Sequence, residues 1–319
     1  MKRRTFTAAA PGELAASLAR ELALDLSQSG AYVARGAVYV RGRRVLEPGA
    51  QVKTGDVLTV VLEEEGQSVL GAVLPPRDLP SVLFEDADLL AVLKPSGWNA
   101  QPTEGRVGES LLDWARTHLG QEPGLVHRLD RETSGVTVFG KSVAATRALA
   151  AQFREARAHK RYLAACVPPL PPGGDIDLPL SRDPSRAGRW RARRDANGTP
   201  AFTSYVRLFE DADFALVALF PRTGRTHQLR AHLTALGCPI LGDARYGGPD
   251  HATALAAPRC MLHAQGLSLL HPTTRVRQLL EAPLPPDLAA FFERARVRAP
   301  SGLWDASAPP QGGPGTVSS

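Results

Sequence analysis

Leucines at positions 14, 18, 22 and 26 stand four residues apart in "ELAASLARELALDLS", a spacing that predicts one helix over 13–27. "AVYVRGRRV" then alternates apolar and polar residues around Gly42, the pattern of two short strands and a turn. "GDVLTVVLEEE" is a β-branched strand opened by Gly55 and Asp56. A helix and a hairpin in so short a stretch form a small domain with a limited core. The charge- and proline-rich "EEEGQ" and "LPPRDLP" follow and read as a linker.

Beyond them the alternation resumes. "SVLFEDADLLAVLKPSG" predicts two strands around an Asp-rich turn, and "GVTVFGKS" a further strand. "VAATRALAAQFREARAHK" is Ala-rich without internal Gly or Pro and predicts a helix. "RYLAACVP" is a strand, and "FTSYVRLFEDADFALVALFP" a hairpin turning at "EDAD". "THQLRAHLTALG" predicts a helix with Thr226 as N-cap, Leu229, Leu233 and Leu236 on one face, and Gly237 as its stop. Strands outnumber helices and hairpins outnumber strand–helix–strand units. The expected class is α+β: a mostly antiparallel mixed sheet flanked by helices, plus a small N-terminal α+β domain. The expected boundaries are a first domain over 11–65, a linker over 66–80, a large domain over 81–298, and a Pro-, Gly- and Ser-rich disordered tail over 299–319.

The 319 residues are 43% hydrophobic, which supports a sizeable core. A net charge of +6 favours an anionic partner; by charge alone, a nucleic-acid binder and a merely Arg-rich soluble protein stand level. Arg20, Arg35, Arg41, Arg43 and Arg44 give the first domain a basic surface. Cys166, Cys238 and Cys260 are too few and too scattered for a disulfide framework, and there is no C-x-x-C pair for zinc. The longest strongly apolar run, "FALVALF", is far below the ~20 residues that span a bilayer. The expectation is a monomer in a reducing cytoplasm, without metal or membrane contact.

The chemistry concentrates in "HRLDRETSGVTVFGKS", His127 to Ser142. Its second half fits the phosphate-loop pattern G-x-x-x-x-G-K-[ST]. Such a loop needs free backbone amides, and Val136, Thr137, Val138 and Phe139 have the composition of a strand whose amides are already paired. The run before Gly135 is polar, not the apolar strand that feeds a phosphate loop. Ser134, His127 and Asp130 are too crowded into one turn for a hydrolase triad. For Asp130 itself, the residues alone leave a functional carboxylate and a local turn hydrogen-bond network equally open.

"HRLDRETSGV" resembles the signature of the RluA-type pseudouridine synthases, H-R-L-D followed by T-S-G. "VLKPSGWNAQP" resembles the family's K-P-x-G segment and "KRYLAACV" its K-x-Y-L-A strand. "GRTHQLRAHLTALGCPILGDARYG" resembles its second long signature, and "RCMLHAQGLSLLHP" its closing L-H-A and H-P elements. These five segments stand in the family's order and cover nearly all of Ser81 to Pro272. The N-terminal section resembles the small S4 RNA-binding module through "LDLSQSGAYVARGAVYVRGRRV" and "VKTGDVLTV", with Arg41 where the module's turn carries Asn.

The resemblance implies isomerisation of uridine in RNA, without cofactor or metal. It assigns the catalytic carboxylate to Asp130, acting as nucleophile at C1′ or as base at C2′. Burial disfavours a carboxylate's charged form, and a paired cation offsets that; the family's pairing arginine is assigned to Arg225, whose alternative is an exposed, phosphate-contacting side chain. Tyr162 is assigned to stack on the uracil and help with the C5 proton, Leu229 to the pocket wall, and Lys94 of the K-P-x-G segment to substrate binding. Arg128 is assigned to fill the stack that the flipped base leaves. His127, His227 and His232 are assigned structural hydrogen bonds.

Six arginines lie between positions 182 and 194 of "SRDPSRAGRWRARRDANG". They read as a mobile basic loop, with Arg182, Arg186, Arg189 and Arg191 on phosphate and Trp190 as a stacking residue. Arg35 and Arg41 are the expected RNA contacts of the S4-like section. The expected partner is RNA, ribosomal large-subunit RNA ahead of transfer RNA.

Overall fold

A computed structural model describes residues 2–22, 24–34, 37–41, 43–45, 47–62, 78–102, 110–186, 188–194, 197–247 and 257–294. Most of the expected linker, Arg35, and the expected tail over 299–319 lie outside these residues. The chain divides into two compact units, one mainly from Met1–Arg77 and one mainly from Asp78 onward.

The first unit contains β1 (Lys2–Thr7), β2 (Gly12–Glu13), α1 (Leu14–Leu22), α2 (Leu26–Ala34), β3 (Val38–Val40), β4 (Arg43–Val45), β5 (Gln51–Val52) and β6 (Val57–Leu62). The four-leucine pattern is therefore two helices, not one. The break is chemical: the main-chain N–H of Gln28 donates to Asp25 Oδ1 at 2.6 Å, and that of Asp25 donates to Gln28 Oε1 at 3.2 Å. This reciprocal cap starts α2 afresh. The sheet runs β1-β6-β3-β4, antiparallel throughout. β1 was not foreseen, because its partner β6 lies some fifty residues away. Leu14, Leu18, Val33, Val38, Val52, Leu58 and Val60 form the core. Arg41 takes the left-handed turn position between β3 and β4, φ 51°, a conformation that asparagine or glycine accepts more readily. Its guanidinium is held there by Asp56, Nε to Oδ1 2.6 Å.

The second unit contains β7 (Ser81–Glu85), β8 (Leu89–Lys94), α3 (Leu111–Leu119), β9 (Gly124–Leu125), β10 (Ser134–Gly140), α4 (Val143–Arg154), β11 (His159–Cys166), β12 (Gly173–Asp177), β13 (Leu180–Arg182), β14 (Trp190–Ala192), β15 (Phe202–Glu210), β16 (Ala215–Pro221), α5 (Gln228–Ala235), β17 (Leu262–Leu270), β18 (Arg277–Glu281) and α6 (Pro286–Arg294). The large sheet runs β12-β15-β16-β11-β17-β10-β8-β7, with β18 on β17 and β9 on β10. Its one parallel pair among the described strands is β10 with β17, at the centre. This is the mostly antiparallel α+β architecture that the pattern predicts.

Both faces of the central strands are covered, which explains why β8 is apolar without alternation. Leu89 and Ala91 pack with Leu149 of α4, whereas Leu90 and Val92 pack with Leu111 and Ala115 of α3. β10 is buried along its whole length and its residues 135–140 pair with β8, so the phosphate-loop pattern is a strand. α4 ends six residues earlier than the Ala-rich run predicts. The chain reverses at Ala156, φ 55°, so that His159 can pair with Ser268 in β17. Among the described residues, no helix is long and apolar enough to cross a membrane.

Candidate active site

Asp130 lies in the connection between β9 and β10, four residues before β10. Two devices fix this segment. The first is the loop after β8. The main-chain N–H of Gly97 donates to the Arg131 carbonyl at 2.7 Å, and Ser96 Oγ donates to the Glu132 carbonyl at 2.8 Å. Lys94 is fully buried, and its ammonium donates to the carbonyls of Trp98 (2.8 Å), Pro95 (3.0 Å) and Arg131 (3.3 Å). Lys94 is thus the internal brace of this loop and does not face a substrate, contrary to its sequence assignment.

The second device is the parallel pair. Ser134 stands opposite His263, and Gly135 opposite Ala264. Gly135 has φ 127°, and a Cβ there would lie 2.2 Å from the Ala264 carbonyl oxygen. Only glycine lets the strands approach so closely. Ser134 Oγ meets His263 Nδ1 at 2.9 Å and accepts from Arg259 Nη2 at 3.0 Å. The T-S-G and L-H-A motifs are therefore two sides of one contact.

The cation facing Asp130 is Arg230. Its Nη1 reaches Asp130 Oδ2 and Glu132 Oε2, each at 3.4 Å. Arg225, the arginine assigned to this role, is exposed and donates from Nε to the Pro200 carbonyl at 3.2 Å. The physical reason is which residue the buried face of α5 carries toward Asp130. His227, not Thr226, is the N-cap of α5, with φ 56° and no side-chain cap bond. Arg225 precedes the helix, and Arg230 sits one turn inside, on the buried face beside Leu229 and Leu233. Gln228 ties this turn down, donating from Nε2 to the Phe202 carbonyl and Thr203 Oγ1, both at 3.0 Å.

Arg230 is 2% exposed and forms a forked pair with Asp243, Nε to Oδ2 2.7 Å and Nη2 to Oδ1 2.8 Å. Burial alone would favour its neutral form. The hydrogen bonds and charge of Asp243 outweigh that and hold the guanidinium firmly protonated. Its face also lies 5.0 Å from the centroid of Tyr246. Arg230, Asp243 and Tyr246 had no sequence assignment. A signal was present: Arg230 falls among the apolar positions of its helix, and a buried arginine needs a carboxylate. Asp243 is the sole acidic residue between positions 214 and 249.

Tyr162 lies on β11 where the register against β17 slips between Arg161 and Leu163, an irregularity that re-aims a side chain. Burial, and after it the negative charge of Asp130, pushes the phenol's pKa well above its ordinary value of 10.0. Tyr162 packs against the same cluster as Leu229, which is 6% exposed. Arg128 is exposed two residues ahead of Asp130. His127 is structural: its Nε2 accepts from the Val138 amide at 3.1 Å, and its ring stacks on Phe153. Burial, and secondarily Lys160, lowers its pKa to about 3. His232, with Thr203 Oγ1 at 2.9 Å and the Leu178 carbonyl at 3.0 Å, is structural as well.

Within the basic run, β13 and β14 pair as an antiparallel hairpin, with Arg182 opposite Trp190. Asp183 N–H bonds the Arg189 carbonyl at 2.9 Å, and the Trp190 N–H donates to the Tyr246 hydroxyl at 2.9 Å. Trp190 is half-buried against Tyr246 and Ala231, with Arg182 5.8 Å from its ring centroid. Arg189 rests over Tyr246 at 5.2 Å, Arg191 donates to Ser181 Oγ at 3.3 Å, and Arg186 is exposed.

Residues 88–235 match the family model described as RNA pseudouridylate synthase. The chain is 39% identical over 243 residues to "Ribosomal large subunit pseudouridine synthase D" of Nitrosomonas europaea, covering 73% of this chain and 69% of that protein. It is 31% identical to "Uncharacterized RNA pseudouridine synthase" of Aquifex aeolicus, covering 84% and 88% of the two chains. Among solved structures, "Human RNA Pseudouridylate Synthase Domain Containing 4" superposes with TM-score 0.58 at 28% identity, over 69% of this chain and 94% of that one.

Proposed function

Because the chain belongs to the RNA pseudouridylate synthase family and is an RNA pseudouridine synthase, we propose that it acts on large-subunit ribosomal RNA with Asp130 as its single catalytic carboxylate. In the isomerisation the N1–C1′ bond of uridine breaks, the uracil turns in place, C5 bonds to C1′, and the C5 proton is lost as N1 regains one. The leaving group never departs, so one carboxylate suffices where glycoside hydrolases use two. Attack of Asp130 on C1′ and removal of the C2′ proton both need the ionised form, which a permanently charged neighbour favours.

The observation that carries this reading is the Asp130–Arg230 contact at 3.4 Å, with the guanidinium anchored from behind by Asp243. Tyr162 stays a neutral phenol, which suits a stacking face for the uracil more than a base for the C5 proton. Leu229 closes the wall beside it. Arg128, exposed near Asp130, is the side chain to occupy the RNA stack once the base is flipped. Arg225 and the exposed arginines of the β13–β14 hairpin supply phosphate contacts.

The ribosomal target is supported by the names of the relatives from Nitrosomonas europaea and Pasteurella multocida, both ribosomal large subunit pseudouridine synthases. The S4-like section, with Arg41 exposed at its turn, is the second RNA-binding element. Two measurements test the reading. Asp130→Asn should abolish pseudouridine formation in RNA; retained activity overturns the role of Asp130. Pseudouridine mapping in cells lacking the gene should show loss at a large-subunit site; loss confined to transfer RNA overturns the target.

A further inference from the structure

We propose that His227 is a positioning residue of this site: its Nε2–H holds Asp130 by Oδ2 and thereby reserves Oδ1 for the ribose. The inference rests on Asp130 being the catalytic carboxylate.

The argument is a proton count. The main-chain N–H of Trp190 can only donate, and it donates to the Tyr246 hydroxyl at 2.9 Å. That hydroxyl is on a residue only 4% exposed, and its other partner among the described residues is His227 Nδ1, at 3.0 Å. If the phenol accepted from both, its own proton would be buried without an acceptor, an arrangement proteins avoid. Tyr246 therefore donates to Nδ1. Burial lowers the His227 pKa, against the opposing charge of Asp130, so the ring is neutral, and its one proton sits on Nε2.

Nε2 is the atom that faces Asp130, 4.0 Å from Oδ2. Arg230 Nη1 approaches the same oxygen. Oδ1 accepts no hydrogen bond from the described residues. The two oxygens are thus unequal: one is held by protein donors and the other is left for substrate. The 4.0 Å gap is longer than a hydrogen bond, and such catalytic contacts tighten when substrate closes the site.

The backbone supports a built arrangement. His227 is held at φ 56° at the start of α5, where a side chain ordinarily caps the helix, yet its ring makes no cap bond. The ring instead stands edge-on to Tyr246, interplanar angle 82°. Through Tyr246 the relay begins at the amide of Trp190, on the basic hairpin.

The test pairs a spectroscopic and a kinetic measurement. In the full chain, ring ¹⁵N shifts of His227 should report the Nε2–H tautomer, and Tyr246→Phe should turn it into a mixture. The Nδ1–H tautomer in the unaltered protein overturns the proposal. Asparagine tolerates the left-handed conformation, so His227→Asn keeps the backbone. It should lower kcat about 10- to 100-fold at nearly constant KM for RNA. Unchanged kcat in that variant also overturns the proposal. Inactivity of the unaltered protein would overturn the catalytic reading of Asp130, a distinct failure, because the tautomer is read without turnover.

Discussion

Arg230 and Asp243 meet as a forked pair at 2.7 and 2.8 Å, both side chains almost wholly out of solvent. The pair aims the remaining nitrogen, Nη1, at Asp130. Lysine keeps the charge but cannot hold Asp243 with two nitrogens and still offer a third. Arg230→Lys should therefore lower kcat about 100-fold while the chain still folds. Release of label from RNA carrying C5-tritiated uridine reads the loss. Arg230→Met should instead leave Asp243 buried and unpaired, costing about 3–5 kcal/mol by urea denaturation.

Gly135 makes a purely steric prediction. A Cβ at this position would lie 2.2 Å from a main-chain oxygen, on a backbone at φ 127°. Neither strand can yield, because Ser134 and His263 lock the same register. Gly135→Ala should destabilise the fold by about 3 kcal/mol or more, and the surviving folded fraction should lose activity through displacement of Asp130. A stability close to that of the unaltered protein would show that β10 and β17 can part.

Lys94 separates bracing from binding. Three carbonyls share its ammonium, and removing it takes a charged donor from each of them. Lys94→Met should cost about 3 kcal/mol or more, yet leave the RNA affinity of the folded protein unchanged, because the charge never meets a phosphate. A weakened affinity at unchanged stability would restore a substrate role to Lys94.

The same three sites mark what the sequence made legible. β8 and β16 could be read because their apolar runs are bounded by Asp-rich turns and a proline, whereas β17, interrupted by His263, Gln265 and Ser268, was not read as a strand; the phosphate-loop pattern could be set aside because its variable residues are strand formers. The choice between Arg225 and Arg230 was not legible, since it turns on which side chain the packing of α5 carries to Asp130. Arg225 precedes the helix under either start, and only the fold shows its side chain turned to the Pro200 carbonyl while Arg230, on the buried face of α5, meets Asp130. Lys94 misleads for a related reason: its motif is a functional signature, but the three-dimensional path of the loop buries the amine.

Stability should fall with acid in the range where histidines titrate. His127, His232 and His263 are held neutral in the fold, chiefly by burial, with pKa values lowered from 6.5 to about 3, about 4 and about 4. Between these values and 6.5 the unfolded chain binds protons that the folded chain does not, so stability is full above pH 6.5 and is lost as pH falls toward 4. Three such groups give a slope of up to about 4 kcal/mol per pH unit. Urea midpoints from pH 7 to 4.5 measure it. His263→Asn should reduce the slope by about one third; an unchanged slope would mean that His263 is protonated in the fold.

The hairpin prediction concerns charge that is free against charge that is spent. Arg186 is exposed, while Arg189 lies over the Tyr246 ring and within 3.7 Å of Asp183. Each phosphate contact on single-stranded RNA releases counterions and adds about 0.7 to the slope of log affinity against log salt. Arg186→Ala should lower that slope by about this amount and weaken binding at low salt. Arg189→Ala should leave the slope unchanged, because its charge is already shared with Asp183. It should instead loosen the hairpin against Tyr246 and so disturb the amide that Tyr246 accepts. A salt titration of RNA binding with both variants decides the point. Equal reductions would mean that Arg189 leaves Asp183 for phosphate when RNA binds, and that the hairpin remodels on its substrate.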